Sequence, residues 1–284
     1  MIQAIFSDID GTLLNSKHQI TFDTKNTIQK VVGGNIPFVL VSARMPSGIF
    51  PLQQELNINA PVICYSGGLI LGCNREILHS ICLSKKSIKQ IYDIVSDHYP
   101  SISFNLYGYD QWIVDNTQNP WVIQEAGIIN GSPIQRVLSS YIEEDHDTHK
   151  ILCMGPPEDV ERLVQQIKNE VTGISVYKSK GTYLEIMDEM VSKSYAIQEL
   201  EGIFNITHRE SMAIGDNYND MDMILYAGLG IAMGNAPEEV KKIADWVTSS
   251  NDEDGLKIGL EKYILSVWND PVTLDIQTPK NCRH

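Results

Sequence analysis

Cysteine is sparse in this chain of 284 residues, and the little there is forms no pattern. The five cysteines, Cys64, Cys73, Cys82, Cys153 and Cys282, are odd in number, scattered, and never spaced as CxxC. That argues against a disulfide framework or a zinc-thiolate centre, and for a reducing cytoplasm. Long apolar runs are also missing. None approaches the length that crosses a bilayer, so no membrane partner is expected. The opening strand starts almost at Met1, which leaves no room for a signal peptide. Positive charge is short too: 22 Lys and Arg stand against 36 Asp and Glu, a formal net charge of -14. Such a surface repels phosphate backbones, which argues against a nucleic-acid partner. An anionic substrate would need a local cation to counter that field. The seven histidines show no metal-ligand spacing.

What is present is an ordinary globular complement, 43% hydrophobic and 20% charged. The length fits one large domain or two. Near the start, Ile2 to Phe6 reads as a buried strand, "TFDTKNTIQKVV" as a helix, "IPFVLVSA" as a strand buried on both faces, "SGIFPLQQELN" as a short helix and "APVICYS" as a further strand. This βαβαβ order predicts a parallel sheet with right-handed crossovers. The rhythm changes after Ser66. "GGLILGCNREILHSICL" predicts a hairpin around Cys73-Asn74-Arg75-Glu76, and residues 84–190 mix helices with antiparallel strands. After Val191 the doubly wound pattern returns. The expectation is therefore an α/β protein: a doubly wound, Rossmann-like parallel-sheet core, residues 1–83 and 191–284, interrupted by an α+β domain. The tail after Asp270 shows no periodicity.

The stretch "SDIDGTLL" poses the chemical question. Asp8 and Asp10 stand one residue apart at the end of a buried strand, where they repel each other and lose hydration. In a parallel sheet, residues just past the strand ends line one crevice. Ser42 and Arg44 follow the second strand, Asp216, Asn219 and Asp220 follow "SMAIG", and Lys193 opens the helix leading into it. A cluster of Asp8, Asp10 and Asp216 is a hard oxygen site suited to Mg²⁺, which would neutralise the repulsion. Ser42 and Lys193 are donors suited to an anion beside the metal. Together these groups describe a phosphoryl-transfer site.

"DIDGTLL", "VSAR", Lys193 and "GDNYNDMDM", in that order, resemble the four motifs of the haloacid dehalogenase-like phosphatases. "AGLGIAMGNAPEEVKKIADWVTSSNDEDGL" is similar to their Cof-type, large-cap branch, which carries its α/β cap between the second and third motifs. The resemblance implies a Mg²⁺-dependent phosphatase acting on a small phosphorylated metabolite, with sugar phosphates first. Asp8 would be the nucleophile and Asp10 the acid and base. Mg²⁺ would be held by a carboxylate oxygen of Asp8, the backbone carbonyl of Asp10, and Asp216. Ser42, Lys193, Asn219 and backbone N–H groups near Ile9 and Ala43 would hold the phosphoryl oxygens. Asp220 would orient Lys193, Gly11 would permit a sharp turn, Thr12 would hold the loop, and Arg44 would contact substrate or pair with a carboxylate. Three positions depart from the family's pattern: Ala43 replaces a glycine, "YSGG" with Ser66 replaces Asn-Gly, and Ser194 follows the lysine where glycine is usual.

Several plainer interpretations compete. Counted from Asp8, an EF-hand would need acids where Thr12 and Gln19 stand, so that reading fails. "SSNDEDGLKIGLE" matches calcium-loop spacing from Ser250 to Glu261, but a capped helix start is preferred. Tyr107, Tyr109, Trp112 and Trp121 are read as the core of a small sheet before a stacking platform. Other functions are a phosphosugar mutase on the same scaffold and a non-catalytic phosphometabolite sensor. A response-regulator receiver is disfavoured, because its phospho-acceptor follows the third strand, where this chain has Tyr65-Ser66.

Overall fold

A computed structural model describes residues 1–129 and 131–266. The chain opens with β1 (Ala4–Asp8), β2 (Phe38–Val41), β3 (Val62–Cys64), β4 (Leu69–Leu71) and β5 (Ile77–Ser80). β6 (Ser103–Gly108), β7 (Gln111–Val114), β8 (Ile134–Gln135), β9 (Lys150–Met154), β10 (Ile174–Lys180) and β11 (Tyr183–Asp188) follow. β12 (Ser211–Gly215), β13 (Leu229–Ala232) and β14 (Trp246–Val247) close the sequence of strands. Between them lie α1 (Phe22–Gly33), α2 (Phe50–Leu56), α3 (Lys85–His98), α4 (Pro120–Ile129), α5 (Leu138–Glu143), α6 (Pro157–Glu170), α7 (Lys193–Phe204), α8 (Met221–Tyr226), α9 (Glu238–Ile243) and α10 (Gly255–Leu260).

The strands form two sheets. The first has order β14-β13-β12-β1-β2-β3-β4-β5, and the second β10-β11-β9-β6-β7-β8. In the first, β1, β2, β3, β12, β13 and β14 run parallel and β4–β5 turn back antiparallel. Every residue of β1, β2, β3 and β12 is buried, which explains apolar runs in place of alternation. Ile5 and Leu40 pack with Ile28 of α1 and Leu260 of α10 on one face. Phe6 and Val39 pack with Ala196, Ile197 and Leu200 of α7 on the other. Strand order reverses at β1, so the crevice lies past the carboxyl ends of β1, β2 and β12.

The second sheet is antiparallel except for β7–β8, which α4 connects by a crossover. It is the α+β insertion, a cap on the doubly wound core. One cap face packs Leu106, Ile151 and Leu184 against Ile91 of α3 and Leu163 of α6. The other face turns to the core: Tyr107, Trp112 and Leu152 share one apolar cluster with Tyr65. Sequence periodicity missed α4, β8 and α5. α4 ("PWVIQEAGII") buries only Val122 and Glu125, so it carries no clear helical stripe. Within "NDMDMILYAG" the helix begins only at Met221, after a 3₁₀ turn Tyr218–Asp220. The last helix continues from α10 as a π-helical stretch, Glu261–Leu265. Cys282 and the tail after Asp270 lie outside the described residues.

Both connections to the cap lean on the corner after β3. Tyr65 and Ser66 are left-handed, with φ of 51° and 55°. Gly67 has φ +111°, and a Cβ there would sit 2.2 Å from the Ser192 carbonyl oxygen. Glycine is needed at that point for both conformation and close approach. The Ile81 N–H donates to the Gly68 carbonyl (2.8 Å), so the outgoing linker touches the same corner.

His149 sits beside it, stacked on Tyr65 at 5.3 Å. Its Nδ1 accepts the Tyr109 N–H (3.2 Å), so Nε2 carries the proton and donates to Ser80 Oγ (3.0 Å). Burial lowers its pKa from 6.5 to about 4, against an opposing pull from Asp147. The unfolded chain therefore takes up a proton from about pH 6.5 downwards while the native imidazole stays neutral. Stability is fully present above that range and is lost as pH falls towards 4. The expected loss is at most about 3 kcal/mol. Urea unfolding of wild type and His149→Asn should diverge in pH slope between pH 6.5 and 4.5; parallel slopes would refute this assignment.

Candidate active site

β1 delivers Asp8 to the crevice, with its side chain nearly buried. Ser192 caps α7 by accepting the Tyr195 N–H, which places Lys193 at the first helical position. Lys193 Nζ lies 2.6 Å from Asp8 Oδ1 and 2.5 Å from Asp220 Oδ1. Lys193 is 1% exposed and Asp220 0%. Asp220 Oδ2 accepts the backbone N–H groups of Asp216 and Asn217, each at 2.9 Å. Both Asp220 oxygens are thus engaged, so it fixes Lys193 and the β12 loop.

Asp216 Oδ1 accepts the Thr12 hydroxyl at 3.2 Å, so Thr12 ties to the acid rather than to its own loop. Asp216 Oδ2 accepts from Asn235 Nδ2 (3.2 Å), which also donates to the Gly11 carbonyl (2.9 Å). Gly11 has φ +86°, and a Cβ there would meet Asp216 Oδ2 at 2.3 Å. Asn235 was missed from sequence. Its only signal is its position just past β13, at the same end of the sheet as the other site residues.

Carboxylate oxygens of Asp8, Asp216 and Asp220 all lie within 4.8 Å of one another. The carboxylate of Asp10 is not among them. It turns to Arg44, which grips it through Nη2 at 2.5 Å and Nε at 2.9 Å. The sequence expectation of an Asp8, Asp10 and Asp216 carboxylate cluster is corrected here: Asp220 takes the third place. The cause is Arg44, whose fork neutralises Asp10 at the exposed side of the loop.

Burial, then the charges of Asp220 and Asp216, push Asp8 well above the usual carboxylate range, with Lys193 opposing. Burial and Asp220 raise Asp216 to about 7. Burial alone would lower Lys193, but Asp220 and Asp8 outweigh it and hold it above the usual lysine range. One ammonium therefore does not neutralise this cluster. A hard divalent cation fits the surplus, with Asp8 and Asp216 as the available carboxylates.

The other predicted residues take ordered places. Ser42 is buried, and its Oγ accepts the Arg44 N–H at 3.2 Å. Its carbonyl accepts the Ser66 N–H (2.9 Å), which ties this loop to the cap corner. Ile9 is fully buried, and its carbonyl accepts the N–H groups of Thr12 and Leu14. Asn219 is half-buried in the 3₁₀ turn. The unusual Ala43 offers its carbonyl to Lys150 of the cap at 3.0 Å. The unusual Ser194 donates its N–H to Asp222 Oδ2 at 2.8 Å.

The acids of the segment resembling a calcium loop are engaged by the protein itself, one in a cap and two in contacts with the start of the chain. Asp252 accepts the Ser16 N–H, Asp254 accepts the Thr21 and Thr24 hydroxyls, and Glu253 closes a capping box with Ser250. Tyr107 and Trp112 are core, stacked at 5.7 Å, while Tyr109 is exposed.

A family model described as haloacid dehalogenase-like hydrolase matches residues 5–260. A Haemophilus influenzae protein named "Putative phosphatase" is 36% identical over 264 residues, 92% of this chain and 98% of its own. The 5-amino-6-(5-phospho-D-ribitylamino)uracil phosphatase YcsE of Bacillus subtilis is 26% identical over 267 residues, 93% of this chain and 96% of its own. The crystal structure of a haloacid dehalogenase-like hydrolase from Bacteroides thetaiotaomicron matches with a TM-score of 0.84 at 30% identity, covering 92% of this chain and 99% of that one. With its motif order, doubly wound core and inserted cap, the chain belongs to the haloacid dehalogenase-like hydrolase family, in its Cof-type, large-cap phosphatase branch.

Proposed function

We propose that this enzyme hydrolyses phosphomonoesters of small metabolites, sugar phosphates foremost, through an aspartyl-phosphate on Asp8 and with Mg²⁺ as cofactor. The observation that carries the reading is the buried Asp8 carboxylate at the end of β1, held 2.6 Å from Lys193 and beside Asp216. Mg²⁺, held by Asp8, Asp216 and the Asp10 carbonyl, would supply charge neutralisation for the phosphoryl group. The chain's own groups do the rest. An Asp8 oxygen attacks phosphorus while the bond to the leaving oxygen breaks. Asp10 gives that oxygen a proton, then takes one from the water that hydrolyses the acyl phosphate. Arg44 holds the Asp10 carboxylate in place between these steps. Lys193, Ser42, Asn219 and the amides of Ile9 and Ala43 hold the phosphoryl oxygens. A cap comprising residues 84–190 covers the crevice and keeps bulk water from the intermediate.

A small-metabolite substrate is supported by the relative named for a phosphoribityl compound. No helix among the described residues is long and apolar enough to cross a membrane. The four cysteines among the described residues are unpaired, which fits a cytoplasmic setting.

Phosphate release across sugar phosphates, nucleotides and phosphorylated cofactors is the test, with and without chelator. Release should require Mg²⁺ and leave the dephosphorylated compound; isomerised phosphoester with no free phosphate would point to a mutase instead. Independently of turnover, saturating Mg²⁺ should stabilise wild type by about 2–3 kcal/mol at a hundredfold excess over Kd, and Asp216→Asn far less. Equal thermal shifts in the two proteins would remove Asp216 from the metal site.

A further inference from the structure

The cap face turned to the core carries charges where a sheet face ordinarily carries aliphatic side chains. Register places Tyr177, Glu185, Leu152 and Asn105 in one row, and Lys150, Tyr107 and Trp112 in the next. Lys150 and Glu185 are each only 8% exposed and pair at 3.3 Å. Lys150 Nζ also donates to the Ala43 carbonyl, one residue from Ser42, and lies 5.0 Å above the Tyr107 ring. Tyr107 is 2% exposed, and its hydroxyl has no hydrogen-bond partner. Tyr177 stands opposite Glu185 on the neighbouring strand.

A buried ion pair is a poor device for holding two domains together. Its desolvation commonly matches or exceeds its attraction, and aliphatic side chains serve as well. A buried phenol without a partner adds to that cost. Both become intelligible if a ligand binds against the pair and supplies the partner that the Tyr107 hydroxyl lacks. An ammonium donates to a hydroxyl oxygen, a carboxylate accepts from a hydroxyl, and a phenol does either. Two of the aromatic pairs here are already stacked, Tyr107 on Trp112 and Tyr65 on His149. A second anionic group would meet Glu185 and Lys150 together, and the pair offers it no net charge.

We propose that Lys150 and Glu185, supported by Tyr107, are specificity-determining residues that hold the leaving group, and that this group is a neutral polyhydroxylated carbon chain or ring. The proposal rests on the phosphatase reading above. The test uses Lys150→Met combined with Glu185→Leu, which removes both charges together and leaves neither stranded. kcat/KM is measured with Mg²⁺ on sorbitol 6-phosphate, glycerol 3-phosphate and acetyl phosphate, a series descending in hydroxyls. Wild type should favour sorbitol 6-phosphate. The double variant should lose about 10²-fold on it and less than about threefold on acetyl phosphate. Should the double variant fail to fold, Glu185→Gln alone should shift the same ratio through KM.

An equal loss on all three substrates would mean that Lys150 acts only through Ala43 and the phosphate loop, and would overturn the proposal. No loss on any, or a wild type indifferent to hydroxyl number, would overturn it as well. A wild type that releases phosphate from none of the three is a separate result: it refutes the phosphatase reading, and this proposal with it.

Discussion

Asp8→Asn should lower phosphate release by about 10⁴-fold or more, because Asp220, the other carboxylate at Lys193, is buried with both oxygens engaged and does not replace the nucleophile. The same substitution should make the metal-free protein more stable. Ionising Asp8 opposes folding: burial and the charges of Asp220 and Asp216 outweigh the help from Lys193. A carboxyl whose native pKa is raised opposes folding above that pKa, and the opposition vanishes as pH falls. Asparagine removes the charge. The gain should be largest above neutral pH and should shrink as pH falls. Urea unfolding in chelator reads the stability, and a coupled phosphate assay reads the activity. A variant that is both inactive and less stable would mean that Lys193 compensates Asp8 fully, and the argument for a divalent cation would weaken.

Lys193→Met should have the opposite effect on stability and a similar one on rate. The ammonium is 1% exposed and is the cation shared by Asp8 and Asp220, at 2.6 and 2.5 Å. Removing one member of a buried charge network strands the others and typically costs about 3–5 kcal/mol. Asp220 keeps its two backbone donors, so the stranded charge is chiefly that of Asp8. The deficit should therefore ease as pH falls and Asp8 takes up a proton. Turnover should fall by about 10³-fold, since a preorganised donor to the phosphoryl oxygens is gone. Unfolding curves at pH 7.5 and 5.5 provide the check; a deficit independent of pH would locate the damage in packing of α7.

The core of the fold was readable because a parallel sheet buried on both faces leaves continuous apolar runs, and their alternation with helical spacing dictates the doubly wound order. β1, β2, β3 and β12 fall where those runs lie. The middle of the cap was not readable. α4 buries two of its residues and β8 is two residues long, so neither leaves a periodic signal. Among the candidate site residues, Asp8, Ser42, Lys193, Asp216 and Asp220 announced themselves by standing at strand ends or a helix start. Asn235 stands at a strand end as well, but an isolated amide carries no chemical signature until its two contacts, Gly11 and Asp216, are seen.

Sequence alone determined the family, the order of the motifs and the interruption of the core, because these depend on residue type and spacing along the chain. Tertiary structure alone decided which charges meet. It directed Asp10 to Arg44, turned Thr12 to Asp216, and set Lys150 of the cap against Ala43 of the core. The reason is physical: the energy of a charge depends on distance and burial, and residues 107 positions apart acquire both only when the chain has folded.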